Sequence, residues 1–296
     1  MKWQGRRGSS NVRSSKGGGK MIGGGIGGII IAGILWLVFG VNPMTALQTG
    51  QVVAGGGSNG TSTEPATSTD RDTQFVKVVL ADTEEVWHQI FNEGGSTYKE
   101  PSLILFNGQV SSACGSASSA TGPFYCPGDQ TIYLDTSFFV EMRQNLGISG
   151  DQQGSGSQEN QGKAGDFAQA YVISHEVGHH VQTLLGISQQ VNEARQQVTQ
   201  AQSNKLSVLQ ELQADCFAGV WAQRNQERVQ FLEAGDIDEA VNAASQIGDD
   251  RLAQASGGAV VPDNFTHGTS QQRVEWFTRG LESGNVQSCD TFSGAL

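Results

Sequence analysis

The sequence predicts an α+β fold, and three observations carry that reading. Short apolar runs bounded by turn residues cluster between residues 102 and 139; a segment of helical periodicity precedes them; and helical periodicity fills most of the chain beyond residue 166. In order, "DTQFVKVVLADTEEVWHQIFNEGG" (72–95) sets Phe75, Val78, Val79, Val86 and Ile90 at helical spacing. "SLILFNG" (102–108) and "QTIYLDTSFF" (130–139) read as short strands with turn residues between them. The polar, glycine-rich tract at 149–165 reads as a surface loop. In "DFAQAYVISHEVGHHVQTLLG", Asp166 is the expected N-cap and Gly186 the stop. One longer helix is expected from Ser188 through "LQELQADCFAGVWAQR", with further helices starting near Asp236 and Thr269. A small sheet is thus followed by a helix-dominated second half.

Ahead of this body the chain is built differently. Residues 1–20 carry six basic residues and no acidic one, whereas the whole chain has a net charge of −11. Met21–Val41 is a run of 21 residues without a charge, long enough to cross a hydrocarbon core as a helix. A cleaved signal peptide is the alternative, but leader and apolar stretch are both long and no A-x-A site follows closely. The expected order is a basic leader (1–20), a transmembrane helix (21–41), a flexible Gly/Ser/Thr-rich linker (42–73) and a folded domain (74–296). Basic residues on the N-terminal side alone place that end in the cytoplasm and the domain outside. Gly23-x-x-x-Gly27 and Gly24-x-x-x-Gly28 offer a face for packing two anchors into a homo-oligomer. The acidic body excludes nucleic acid as the main partner, because phosphate repels it.

The four cysteines, Cys114, Cys126, Cys216 and Cys289, all fall on the proposed outer side, where an even count suits two disulfides. None forms a C-x-x-C pair, which argues against a thiolate zinc site. Three pairings are open; local closure of Cys114 on Cys126 across a turn-rich stretch is the easiest, and it leaves Cys216 with Cys289.

The chemistry concentrates in "YVISHEVGHHVQ" (171–182), which holds three of the chain's five histidines. His175 and His179 are four apart, so a helix puts them on one face where two imidazoles can grip one Zn²⁺. Glu176 is placed to take a proton from water at that ion. Gly178 is expected to leave space above the metal, and His180, rotated about 100° from His179, to be a packing or surface residue. A catalytic zinc needs a third protein ligand and one open position. Glu211 in "QELQADCFAG" is the candidate, with Asp215 one turn on as hydrogen-bond partner to the far nitrogen of a ligand histidine. Their neighbours Leu212, Ala214, Cys216, Phe217 and Ala218 are small or apolar, and acids in so buried a stretch require partners.

HExxH followed by an E-x-x-x-D helix resembles the gluzincin-type metallopeptidases, including membrane-associated ones. More closely, the chain is similar to a bacterial family described as "putative neutral zinc metallopeptidase". That likeness runs over nearly the whole length, through "WQGRR", "GPFYCP", "HEVGHH", "ELQADCFAGVW", "IGDDR" and "VPDNFTHGTSQQR". The resemblance implies a zincin-like domain at 74–296 behind the anchor of a bacterial inner membrane, with one zinc ion per chain. It implies His175, His179 and Glu211 as ligands, Glu176 as base and Asp215 as support. "THGTSQQR" matches a late T-H-P-x-x-x-x-R segment of the membrane-associated group, with Gly268 in place of proline. His267 is thereby implied as an oxyanion stabiliser, and Arg273 as a residue that orients an acidic site residue or the product carboxylate. "GPFYCPGDQTIYLD" resembles the strand beside the substrate in such enzymes, so an edge strand with one wet face, carrying Tyr133, is expected.

The expected function is a membrane-anchored zinc peptidase acting on peptides or proteins, with the acidic surface favouring neutral or basic segments. The rival is a catalytically silent, zinc-stabilised extracytoplasmic scaffold that binds a partner. A complete set of Glu176, His175, His179 and Glu211 favours the enzyme. "IGDDR" lacks the spaced oxygens of a calcium loop and reads as a helix end with an ion pair. No phosphate-binding G-x-x-x-x-G-K-[ST] occurs, and the one G-x-S-x-G match, Gly56–Gly60, falls in the Gly/Ser/Thr-rich linker, so nucleotide and serine-triad chemistry find no support.

Overall fold

The structure, a computed structural model, describes residues 1–15, 63–135, 137–140, 142, 165–255, 257 and 259–293. The expected anchor (21–41), most of the linker and nearly all of the 149–165 tract lie outside the described residues. Among the described residues no helix is long and apolar enough to cross a membrane.

Helix α1 (Arg71–Glu93) starts where Asp70 accepts a hydrogen bond from the Thr73 N–H at 2.9 Å, an N-cap that satisfies an otherwise orphaned donor. Its apolar stripe, including Phe75, Val79 and Val86, is buried against the sheet and the later helices. That sheet has five strands: β1 (Val12–Ser15), β2 (Thr63–Pro65), β3 (Ser102–Phe106), β6 (Phe124–Cys126) and β7 (Thr131–Asp135), in the order β2-β1-β3-β7-β6. The central pairs β1–β3 and β3–β7 are parallel, and the outer pairs are antiparallel. A hairpin of β4 (Gln109–Ser112) and β5 (Gly115–Ser118) stands apart. The expected strand 130–139 is shorter, and it is internal rather than an edge; the edges are β2 and β6. Every residue of β7 is buried, as a strand covered on both faces requires. Tyr133 is therefore not wet: its ring stacks on Phe124 at 4.9 Å and its hydroxyl donates to Asp129.

The leader supplies a larger difference. Residues 1–15 are not a separate basic tail but part of the fold. β1 pairs with β3 from Val12↔Leu103 to Ser14↔Leu105, and Met1, Trp3 and Val12 belong to the main core. Arg6 reaches Asp82 at 2.5 Å, Trp3 Nε1 donates to Asp166 at 3.0 Å, and Ser9 and Asn11 donate to Glu84. Asp82 and Glu84 are buried in α1, so these partners offset a desolvation cost that would otherwise be severe.

The second half is helical: α2 (Asp166–Leu184), α3 (Ile187–Arg195), α4 (Gln200–Val229), α5 (Asp236–Gln246), α6 (Asp249–Ala255) and α7 (Ser270–Ser283). Gly165, not Asp166, caps α2, and the Asp166 carboxylate is instead shared between Trp3 and Arg71. The one long helix expected from residue 188 is two, because a capping box of Thr199 and Gln202 starts α4 afresh. α4 and α7 touch backbone to backbone: a Cβ on Gly280 would lie 1.9 Å from the Cys216 carbonyl oxygen, and one on Gly219 would lie 2.1 Å from that of Phe277. Disulfides join Cys114 to Cys126 and Cys216 to Cys289. The first ties the hairpin to β6; the second pins α4 to a 3₁₀ turn (Val286–Cys289) after α7.

Candidate metal centre

HEVGH lies in the middle of α2, and α4 crosses it so that Glu211 and Asp215 face the two histidines. The crossing is close because of Gly178: a Cβ there would sit 3.0 Å from both the Cα and the carbonyl oxygen of Ala214. Gly178 thus permits helix packing; the open space expected above a metal is not its role.

Hydrogen-bond chemistry fixes both imidazoles. His175 Nδ1 is 2.8 Å from Asp215 Oδ1, and an ionised carboxylate only accepts, so Nδ1 carries a hydrogen and Nε2 is the nitrogen that would offer its lone pair to a metal in place of a proton. His179 Nδ1 is 2.9 Å from Gln182 Oε1. Gln182 turns its oxygen that way because its amide nitrogen donates to Gln210 O at 2.7 Å and to Gln213 Oε1 at 3.1 Å. Both Nε2 atoms then meet the Glu211 carboxylate, at 3.2 Å from His175 and 3.3 Å from His179. One ligand atom from each of the three residues lies within 4.8 Å of the others. Tetrahedral zinc, with bonds of about 2.0–2.1 Å, spaces its ligand atoms by about 3.3–3.5 Å. Two imidazoles and a carboxylate at these separations fit such an ion, which would take the place of the Nε2 protons.

Behind this trio, Asp215 is fully buried and saturated. Its Oδ1 accepts from Tyr171 Oη at 2.5 Å, His175 Nδ1 at 2.8 Å and Arg273 Nη2 at 2.9 Å; its Oδ2 accepts from Arg273 Nε at 2.8 Å. Burial alone would raise the Asp215 carboxyl, but Arg273 and His175 outweigh it and hold it at about 2. Burial likewise opposes protonation of His175, yet the charge and hydrogen bond of Asp215, with Glu211, raise it to about 10. Burial pushes Glu211 up as well, and His179 and His175 pull it well below the usual carboxylate range. The carboxylates thus create a field that favours positive charge between them. Glu176, buried beside the trio, has its carboxyl raised by burial against the pull of His175 and His179.

His267 sits on the loop before α7. Its Nδ1 is 3.1 Å from Asp249 Oδ1, while Asp249 Oδ2 accepts the backbone N–H groups of Thr266, His267 and Gly268 at 2.7–3.0 Å. Burial lowers His267 and the Asp249 bond and Glu211 raise it, with a net rise; His267 in turn helps depress Glu211. His267 and Arg273 are therefore both brought to the centre. His180 is a packing residue: Nε2 donates to Lys99 O at 2.6 Å, Nδ1 accepts from Tyr125, and burial lowers it to about 4.

Sequence reasoning missed three participants. Gln182 stood three residues past His179 and Tyr171 four before His175, both at helical contact spacing. "IGDDR" is a helix start, as expected, but Arg251 contacts Gln246, and Asp249 holds the His267 loop.

Fold and site together define an α+β protein with an HExxH helix and a His/His/Glu centre suited to a metal ion. The chain belongs to the family described as "Putative neutral zinc metallopeptidase", whose sequence model matches residues 1–157 and 155–292. Among its relatives, "Uncharacterized protein YpfJ" of Escherichia coli (strain K12) is 47% identical over 307 residues, covering 100% of both chains. "Uncharacterized protein Rv2575" of Mycobacterium tuberculosis is 43% identical over 207 residues, covering 67% of this chain and 64% of the relative. No solved structure matches the chain. The family implies zinc, in agreement with the donor set.

Proposed function

We propose that the protein is a zinc-dependent peptidase that cleaves peptide bonds with water. The observation that supports this best is the pair of imidazoles whose Nδ1–H groups are engaged by Asp215 and Gln182, leaving both Nε2 atoms against Glu211 with Glu176 alongside. His175, His179 and Glu211 would hold the ion, and Zn²⁺ bound there supplies Lewis acidity that lowers the pKa of water and polarises a carbonyl. Glu176 takes the proton from the attacking water and passes it to the leaving amine nitrogen; burial, which raises its carboxyl, suits that exchange. His267, oriented through Nδ1 by Asp249, presents its other nitrogen to the developing oxyanion. Arg273 acts indirectly, by fixing the Asp215 carboxylate that orients His175. The two disulfides support work in an oxidising compartment outside the cytoplasm.

The test is zinc content and cleavage of a broad peptide library by the full chain, wild type and Glu176→Gln. One zinc in each, with cleavage by wild type alone, is expected. Zinc in both and cleavage by neither would move the reading to a zinc-stabilised binding scaffold. A folded chain without zinc would refute the metal centre.

A further inference from the structure

Ser15 and Thr63 are partners in one antiparallel ladder, as are Ser14 with Glu64 and Arg13 with Pro65. Ladder partners lie about 5 Å apart. The chain between them therefore leaves the fold and rejoins it at a single sheet edge. That intervening stretch contains the most apolar part of the molecule: residues 21–63 are 43 consecutive positions without a charge. A single crossing of a bilayer would carry its two ends about 30 Å apart, on opposite faces. The two requirements exclude each other while β1 and β2 are paired.

The leader's contacts weigh on the side of the ladder. Were residues 1–15 across a membrane, β3 would lose one of its two parallel neighbours and Asp166 its Trp3 donor. Buried Asp82 would keep only Arg228 and Asn225, and buried Glu84 would lose the hydrogen bonds of Ser9 and Asn11. A buried carboxylate stripped of its partners is strongly destabilising, because its charge is left desolvated. The four basic leader residues among the described residues are occupied: Arg6 by Asp82, Arg7 by Glu84 and Glu85, Arg13 by Thr63 and Lys2 by Gln230.

We propose that residues 1–15 and the metal-bearing domain share one side of the membrane. A single crossing of the bilayer between residues 15 and 63 is then excluded. This replaces the expectation of a cytoplasmic leader and an outer domain.

The test uses the full chain in cells, with Ser10→Cys and Gln190→Cys made separately. Both positions are exposed and neither lies in the metal centre, while the four native cysteines are paired and silent. Cells with a permeabilised outer membrane are treated with a membrane-impermeant maleimide, with lysed cells as the measure of full labelling. Equal labelling at both positions is expected. Labelling at Gln190→Cys with protection at Ser10→Cys, or the reverse, would overturn the one-sided arrangement. A Ser14→Cys/Glu64→Cys pair gives a second readout: a disulfide between the strands in cells supports the ladder, and two free thiols there would refute it.

Discussion

Asp215→Asn removes one charge from the most heavily used side chain in the molecule. Asparagine keeps an oxygen where Tyr171, His175 and Arg273 Nη2 donate, but it turns an amide nitrogen toward Arg273 Nε, 2.8 Å from the present Oδ2. A donor then faces a donor, and a guanidinium that is 3% exposed loses the carboxylate paired with it. Breaking a buried pair from one side costs about 3–5 kcal/mol. For a domain of this size that lowers Tm by about 6–20 °C. Zinc affinity is expected to fall about 10–100-fold, because Asp215 fixes the tautomer of His175. Part of the loss depends on pH. The folded carboxyl titrates at about 2 against an ordinary 3.8, so its stabilisation is complete above 3.8 and vanishes as pH falls through 2. That portion is about 2 kcal/mol. The assay is thermal unfolding of chelator-stripped protein at pH 7 and at pH 3, with zinc affinity read by competition against a chelating dye. The Tm gap between variant and wild type should narrow at the lower pH. A variant that melts with wild type at pH 7 and binds zinc as tightly would refute the account of Asp215 as the keystone of the centre.

Three further outcomes are expected. Gly280→Ala forces a Cβ to within 1.9 Å of the Cys216 carbonyl, so α7 must move off α4 at a cost of about 3 kcal/mol; a Tm equal to wild type would show that the helices do not touch there. His267→Ala should lower kcat about 10²–10³-fold with zinc content unchanged, and Asp249→Asn should lower it by less; rates equal to wild type would remove His267 from the reaction. Burial pushes the Glu239 carboxyl up to about 7 from 4.5, so the folded state favours its acid form and loses stability as pH rises through that window. Glu239→Gln, which keeps an acceptor for the Phe167 N–H, should therefore melt above wild type at pH 8 and level with it near pH 4; an equal gap at both pH values would refute the assignment.

By itself the sequence determined what is local. His175 and His179, and again Glu211 and Asp215, are one helical turn apart, and that spacing forces each pair onto one helix face without knowledge of anything else. The short apolar runs and the helical periodicity gave the α+β class for the same reason, and closure of Cys114 on Cys126 spans only a short turn-rich stretch. Tertiary structure decided what depends on distant partners. Gln182 and Tyr171 became supports of the histidines only when α4 and α7 brought Gln210, Gln213, Asp215 and Arg273 to them. Asp249 acquired its role through the backbone of a loop seventeen to nineteen residues later. The leader is the extreme case: its arginines read as a charge bias, yet their partners Asp82 and Glu84 lie more than seventy residues on, and β1 finds β3 across ninety. A parallel strand pair and a buried ion pair leave no periodic trace in the segments that form them. Their stability comes from chain closure and the exclusion of water, which exist only once the fold has assembled.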